Sequence, residues 1–323
     1  MGHLMRKVTT KLTLLAAAAT VPLVVAAAPA TGATTGTAHH ATSRAGHSRQ
    51  SAHQAVIYGG GPFYNGGTAV MNSLRNSGFT TVVLWTIHVH SNGDLYYNNS
   101  LVVHNGQYVG HSAWPGQLAT LLQQPTSVNR IEVSVGSAGV NDWGTIDQLI
   151  SSQGTGTGSI LYKNFSALRT VTGAVAVNSD DEEDYNLSGA EAFAHMVLGM
   201  GYSSFTIVPF TNQGYWAQLK SNLGSKLDRV YLQDYAGGTG NSPSQWSQAL
   251  GITVMPGLWS RNGTGCTSGD SPKEVQKQMA AWVSSAHITG GFMWLYDDIR
   301  QCARDGNAYD YAHAILNGLN GIS

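Results

Sequence analysis

Eight short apolar runs recur along the chain from residue 55 onward, and stretches of helical spacing separate them. The runs fall at 55–58, 80–90, 131–136, 174–177, 205–210, 229–235, 252–259 and 290–296. Most are rich in Val, Ile, Leu or aromatic residues, which suit a buried pleated surface. Between them, apolar residues return every three or four positions. Val70, Met71 and Leu74 do so before Gly78, as do the segments 114–122, 143–150, 159–168, 215–223, 244–250 and 309–319. Two helices carry start signals. Ser188 with Glu191 reads as a capping box, and Ser271 with Pro272 and Glu274 reads as a second, leading a helix to Ser284. A hairpin insert at 94–103, turning at Asn98-Asn99, interrupts the alternation once. Eight strands alternating with helices predict an α/β chain, folded as a single-domain (β/α)8 TIM barrel over residues 55–323. The competing arrangement, a doubly wound open sheet, rarely needs eight evenly spaced units in one domain.

A parallel barrel carries its chemistry at the C-terminal ends of its strands. The fourth run ends in five consecutive acids, Asp180, Asp181, Glu182, Glu183 and Asp184. Strand alternation puts Asn178, Asp180 and Glu182 on one face and Val175, Val177 and Ser179 on the other. Carboxylates two residues apart on one face lie within about 7 Å of each other. Such a pair resists double ionisation, so one member holds its proton toward neutral pH, as a general acid must. A solvated acidic loop and a calcium-binding loop remain the alternatives. The other strand ends are also polar or aromatic: His88 and His90, Ser134 and Gly136, Gln233 and Tyr235, and Trp259. The last strand contributes Trp294, Tyr296, Asp297 and Asp298. His88 and His90 form an H-x-H that could ligate zinc with Asp297 or Asp298 as a third ligand; histidines hydrogen-bonded near the pocket are the plainer reading. Gly59-Gly60-Gly61 matches no phosphate-binding fingerprint, and no cofactor is expected.

The N-terminus reads as a targeting segment. Arg6, Lys7 and Lys11 precede an apolar stretch, and small residues follow it, so residues 1–33 are expected to be a cleaved signal peptide rather than a retained anchor. Residues 34–54 lack periodicity and are expected to form a disordered leader. The mature chain is therefore expected outside the cell, with no membrane attachment and as a monomer. There, its two cysteines, Cys266 and Cys302, would pair and tie two loops at one end of the barrel. A net charge near zero and the lack of a basic stripe or tail argue against a nucleic-acid partner.

The strand ends resemble glycoside hydrolase family 18, the chitinases and endo-β-N-acetylglucosaminidases. That family carries D-G-x-D-x-D-x-E on barrel strand four, where this chain reads Val175-Ala176-Val177-Asn178-Ser179-Asp180-Asp181-Glu182. The last Asp and the Glu match; the first Asp is Val, the Gly is Ala and the second Asp is Asn. The family's Ser-x-Gly-Gly on strand three becomes Ser134-Val135-Gly136-Ser137, and its Met-x-Tyr on strand six becomes Gln233-Asp234-Tyr235. Its strand-eight Trp falls on Trp294. The chain is also similar to secreted actinobacterial proteins labelled coagulation factor 5/8 type. That label implies a β-sandwich, which the strand–helix alternation does not support.

The family resemblance implies substrate-assisted hydrolysis of N-acetylhexosamine glycans, with a carbohydrate as the partner. Glu182 would protonate the glycosidic oxygen. Asp180 would orient the acetamido group, Tyr235 would hydrogen-bond it, and Asn178 would position Asp180. Trp294 would floor the sugar pocket. Gln233, Tyr296, Trp259, His88, His90 and Asp297 complete the expected substrate-binding set. A lectin-like barrel without turnover and a metal-dependent hydrolase are the other functions considered.

Overall fold

The computed structural model describes residues 53–322. The expected signal peptide and nearly all of the expected leader lie outside them. The first strand, β1, spans Gln54–Gly59. It is followed by β2, Thr81–Val89, and by a three-stranded insert: β3, Leu95–Tyr97, β4, Ser100–His104, and β5, Gln107–Tyr108. The barrel resumes with β6, Arg130–Val135, β7, Ala176–Ser179, β8, Ser204–Ile207, and β9, Leu227–Gln233. It ends with β10, Met255–Trp259, and β11, Gly290–Trp294.

The eight barrel strands are parallel in the order β1-β2-β6-β7-β8-β9-β10-β11, and β1 pairs with both β2 and β11 to close the ring. Helices between the strands form the outer layer. The chain is a (β/α)8 barrel, as its sequence predicts. No helix among the described residues is long and apolar enough to cross a membrane.

Alternation divides the strand side chains into two cores. Ile57, Leu84, Val133, Val177, Ile207, Leu232 and Met293 point outward and pack beneath the helices. Val56, Tyr58, Val83, Tyr231 and Phe292 point inward and fill the barrel. Asn178 also points inward, completely buried, as the parity of the fourth barrel strand requires. Below it the barrel floor holds Glu132, which accepts from Arg130, Tyr231 and Thr206 at 2.6–2.7 Å.

Local signals account for several boundaries. The helix Pro272–Ala286 has the expected capping box between Ser271 and Glu274, with Pro272 in its first turn. The expected Ser188–Glu191 box does not form. Asn186 caps that helix, Leu187–Gly199, and Ser188 donates to the capping side chain instead. Asn is at least as good a cap as Ser, and it lies two residues earlier. The last strand stops at Trp294, because a helix, Tyr296–Gln301, begins where the sequence suggests more strand. Cys266 and Cys302 form the expected disulfide, with a Cα separation of 5.7 Å.

Candidate active site

Above the barrel interior the strand ends enclose a cavity of about 440 Å³. Trp85, Phe210, Tyr235, Trp259 and Trp294 supply its aromatic walls, and Asp180, Glu182 and Gln233 its polar groups. These come from six barrel strands or the residues just after them. No lining side chain is basic.

Asp180 is 3% exposed. Its Oδ2 accepts from the indole Nε1 of Trp85 at 3.0 Å, while its Oδ1 receives no protein N–H or O–H donor. Burial pushes its carboxyl well above the usual carboxylate range, and the neighbouring Glu182 pushes it the same way. Burial also raises Glu182, against the lowering effect of bonds from Gln233 and Asp180. Gln233 Nε2 donates to Glu182 Oε1 at 3.3 Å and to the Val208 carbonyl at 3.0 Å. The two carboxyls neighbour each other in the cavity lining, and each is raised, so full ionisation of the pair is disfavoured. Two acids held this way in an apolar cavity can release and accept one proton near neutral pH.

Tyr235 and Trp294 lie nearly parallel, with ring centroids 5.9 Å apart, and Trp85 meets Trp294 edge-on at 4.5 Å. Burial raises the Tyr235 phenol well above its usual value, so its hydroxyl stays protonated. Gly136 turns with φ +96 at the end of β6, and a Cβ there would collide with the Asp180 carbonyl. The glycine lets the acidic strand end lie against its neighbour.

The remaining expected residues are placed elsewhere. Asn178 lies below the cavity and makes no bond to Asp180. Its Oδ1 accepts from Tyr58 at 3.1 Å and Ser134 at 2.9 Å, and its Nδ2 donates to Thr206 at 3.0 Å. The barrel sheet is irregular between Leu84 and Ile87, where β2 holds an extra residue, so the end of β2 leaves the ring. There His88 pairs with Asp142 at 2.7 Å and His90 stacks on Tyr96. Among the described residues no three metal-ligating side chains gather. Tyr296 begins a helix and packs outward against Phe63. Asp297 accepts from the Gly60 N–H at 2.8 Å and holds the loop after β1. Trp85 and Phe210 are cavity residues that the strand-end reading passed over. Trp85 shares the face of Val83, a parity signal that could have found it.

No family model matches the chain, and no curated protein matches it by sequence. Solved structures do. The catalytic domain of a family GH18 chitinase from the fern Peteris ryukyuensis superposes with a TM-score of 0.57 at 17% identity, covering 81% of this chain and 99% of that one. The fold is that of the GH18 chitinases. A chitinase A from Streptomyces coelicolor gives 0.54 at 14% identity, over 83% of this chain and 98% of the other. Active domain 2 of a thermostable chitinase from Pyrococcus furiosus, complexed with chito-oligosaccharides, gives 0.58 at 10% identity, over 83% and 95%. The chitinase-like fold therefore spans most of the chain, while sequence identity to these GH18 structures stays low.

Proposed function

We propose that this chain is a secreted glycoside hydrolase that cleaves N-acetylhexosamine glycans with help from the substrate's own acetamido group. The observation that carries the reading is the Asp180–Glu182 pair in a cavity walled by three tryptophans. The chitinase-like fold supports it. Glu182 protonates the glycosidic oxygen. The acetamido oxygen closes onto the anomeric carbon as the leaving group departs, giving an oxazolinium-like intermediate, and water then opens it with Glu182 as the base. Asp180 orients the acetamido N–H and stabilises the positive charge. Tyr235 donates to the acetamido oxygen, and Trp294 stacks beneath the sugar. Secretion rests on the N-terminal sequence and agrees with the disulfide.

A sugar-binding barrel without turnover is the second reading. Gln233 favours it, because an amide N–H on Glu182 stabilises the ionised carboxylate and works against proton release. A panel of N-acetylhexosamine oligomers, offered to the parent and to Glu182→Gln, separates the two. Hydrolysis by the parent that disappears in the variant, with sugar binding kept, supports the hydrolase. Binding by both proteins with cleavage by neither supports the lectin-like barrel.

A further inference from the structure

Asp180 needs a partner to fix its orientation, and the residue expected to provide one is committed elsewhere. Both ends of the Asn178 amide are taken by Tyr58, Ser134 and Thr206. The side-chain donor that Asp180 does receive comes from another strand. Trp85 Nε1 reaches across from β2 to Oδ2 at 3.0 Å. The Trp85 ring is itself held edge-on against Trp294, and its backbone carbonyl accepts from Asn98 Nδ2 at 3.2 Å.

We propose that Trp85 is the positioning residue of the acid pair: its indole N–H pins Oδ2 of Asp180 and shifts the proton balance between the two carboxyls toward Glu182. The argument is one of competing effects. Asp180 is the more buried carboxyl, so desolvation alone would place the proton on it. A proton held there is withheld from Glu182, the group that faces the leaving oxygen in the proposed reaction. An N–H bond to Asp180 favours its ionised form and opposes that tendency. It also leaves Oδ1 as the oxygen available to Glu182 or to a substrate amide. The kinetic consequence rests on the glycosidase reading; the control of the proton does not.

Two measurements on the mature chain test this. The first follows the Asp and Glu carboxyl carbons by NMR through a pH titration of the parent, Trp85→Phe and Trp259→Phe, with Asp180→Asn for assignment. Trp259 also lines the cavity, but its N–H goes to Asp298, so it serves as the control. Trp85→Phe is expected to move the Asp180 midpoint up and that of Glu182 down, by about one pH unit. Trp259→Phe is expected to move neither. Unmoved midpoints in Trp85→Phe overturn the proposal. The second needs no variant at Trp85: the Trp85 indole proton resonance of the parent should titrate with the pair, and a resonance that ignores the pair overturns the proposal equally. Kinetics then extend it. With the oligomer panel, Trp85→Phe should lower kcat about 10- to 100-fold, with KM changed less than about threefold, and move the alkaline limb to lower pH. If the midpoints move as stated while the parent cleaves nothing, the positioning role stands and the glycosidase reading falls.

Discussion

The amide nitrogen of Asn178 donates to the hydroxyl of Thr206 at 3.0 Å, and that hydroxyl gives its own proton to Glu132 at 2.6 Å. The direction of the chain is thereby set. A hydroxyl has one proton, so Thr206 can only accept from above, and position 178 must donate. The family pattern has a carboxylate there, and a carboxylate can meet this demand only while protonated.

Restoring the carboxylate should therefore weaken the protein. Asn178→Asp is expected to cost about 1–3 kcal/mol near neutral pH, the penalty for an unsatisfied buried polar contact. The folded-state value of the new acid would be raised by burial, so its contribution is least harmful at low pH and worsens as pH rises. Denaturant melts of parent and variant at pH 4 and pH 7 check this. A variant as stable as the parent at both pH values would contradict the donor argument.

Asp147 makes stability depend on pH. Its Oδ1 is buried without a donor, its side chain packs against Gly189, and its Oδ2 accepts from Asn186. Burial first, then the neighbouring Asp184 carboxyl, pushes its carboxyl up to about 6. A raised acid contributes most below its unfolded value of about 4, and that contribution is lost as pH rises through the folded value. Asp147→Asn should therefore gain on the parent in thermal midpoint between pH 4 and pH 7. The gap between the two midpoints is the quantity to plot, because other buried acids shift both proteins together.

The cavity should discriminate by charge. Its lining holds two carboxyls and no basic side chain, so a third carboxylate meets repulsion and finds no cation. Neutral N-acetylglucosamine oligomers should bind at least about tenfold more tightly than oligomers bearing a lactyl or uronic carboxylate at the bound ring. Calorimetric titration with both series at pH 7 measures the ratio. Equal affinities would mean that the charged groups of the sugar lie outside this cavity.

The disulfide should matter to stability more than to chemistry. Cys266 and Cys302 are 36 residues apart, and by the loop-entropy argument their bond adds about 3–4 kcal/mol. Replacing both with Ala should lower the thermal midpoint clearly while leaving KM for an oligomer within about twofold, since neither cysteine lines the cavity. A large change in KM would show that the linked loops shape the sugar site.

Alternation made much of the site legible. Asn178 faces the barrel interior and Asp180 and Glu182 reach the cavity above it, although β7 ends at Ser179 and Glu182 already sits in a bend. The same rule fails on β2 and after β11, for physical reasons a periodic reading cannot see. On β2, one extra residue between Leu84 and Ile87 carries His88 past the rim to Asp142. After β11, a helix starting at Tyr296 turns that ring away from its neighbour Trp294. Parity with Val83 places Trp85 on the inward face, but its bond to Asp180, 95 residues later in the sequence, leaves no local signal. The hairpin at 94–103 was visible, but its third strand, β5, has only two residues and leaves no periodic trace.

That short strand has a further consequence. A closed barrel has no open edge, but the upper part of β2 runs past the end of β1 and pairs there with β3, so the sheet continues outward through β4 to β5. The insert thus reopens an edge that ring closure had removed, and an open edge is a template for aggregation. At two residues, β5 offers too little backbone to recruit another chain, and Gly106 and Gly110 bracket it. Any engineered loop that lengthens this strand would trade a harmless stub for a growth point of fibrils.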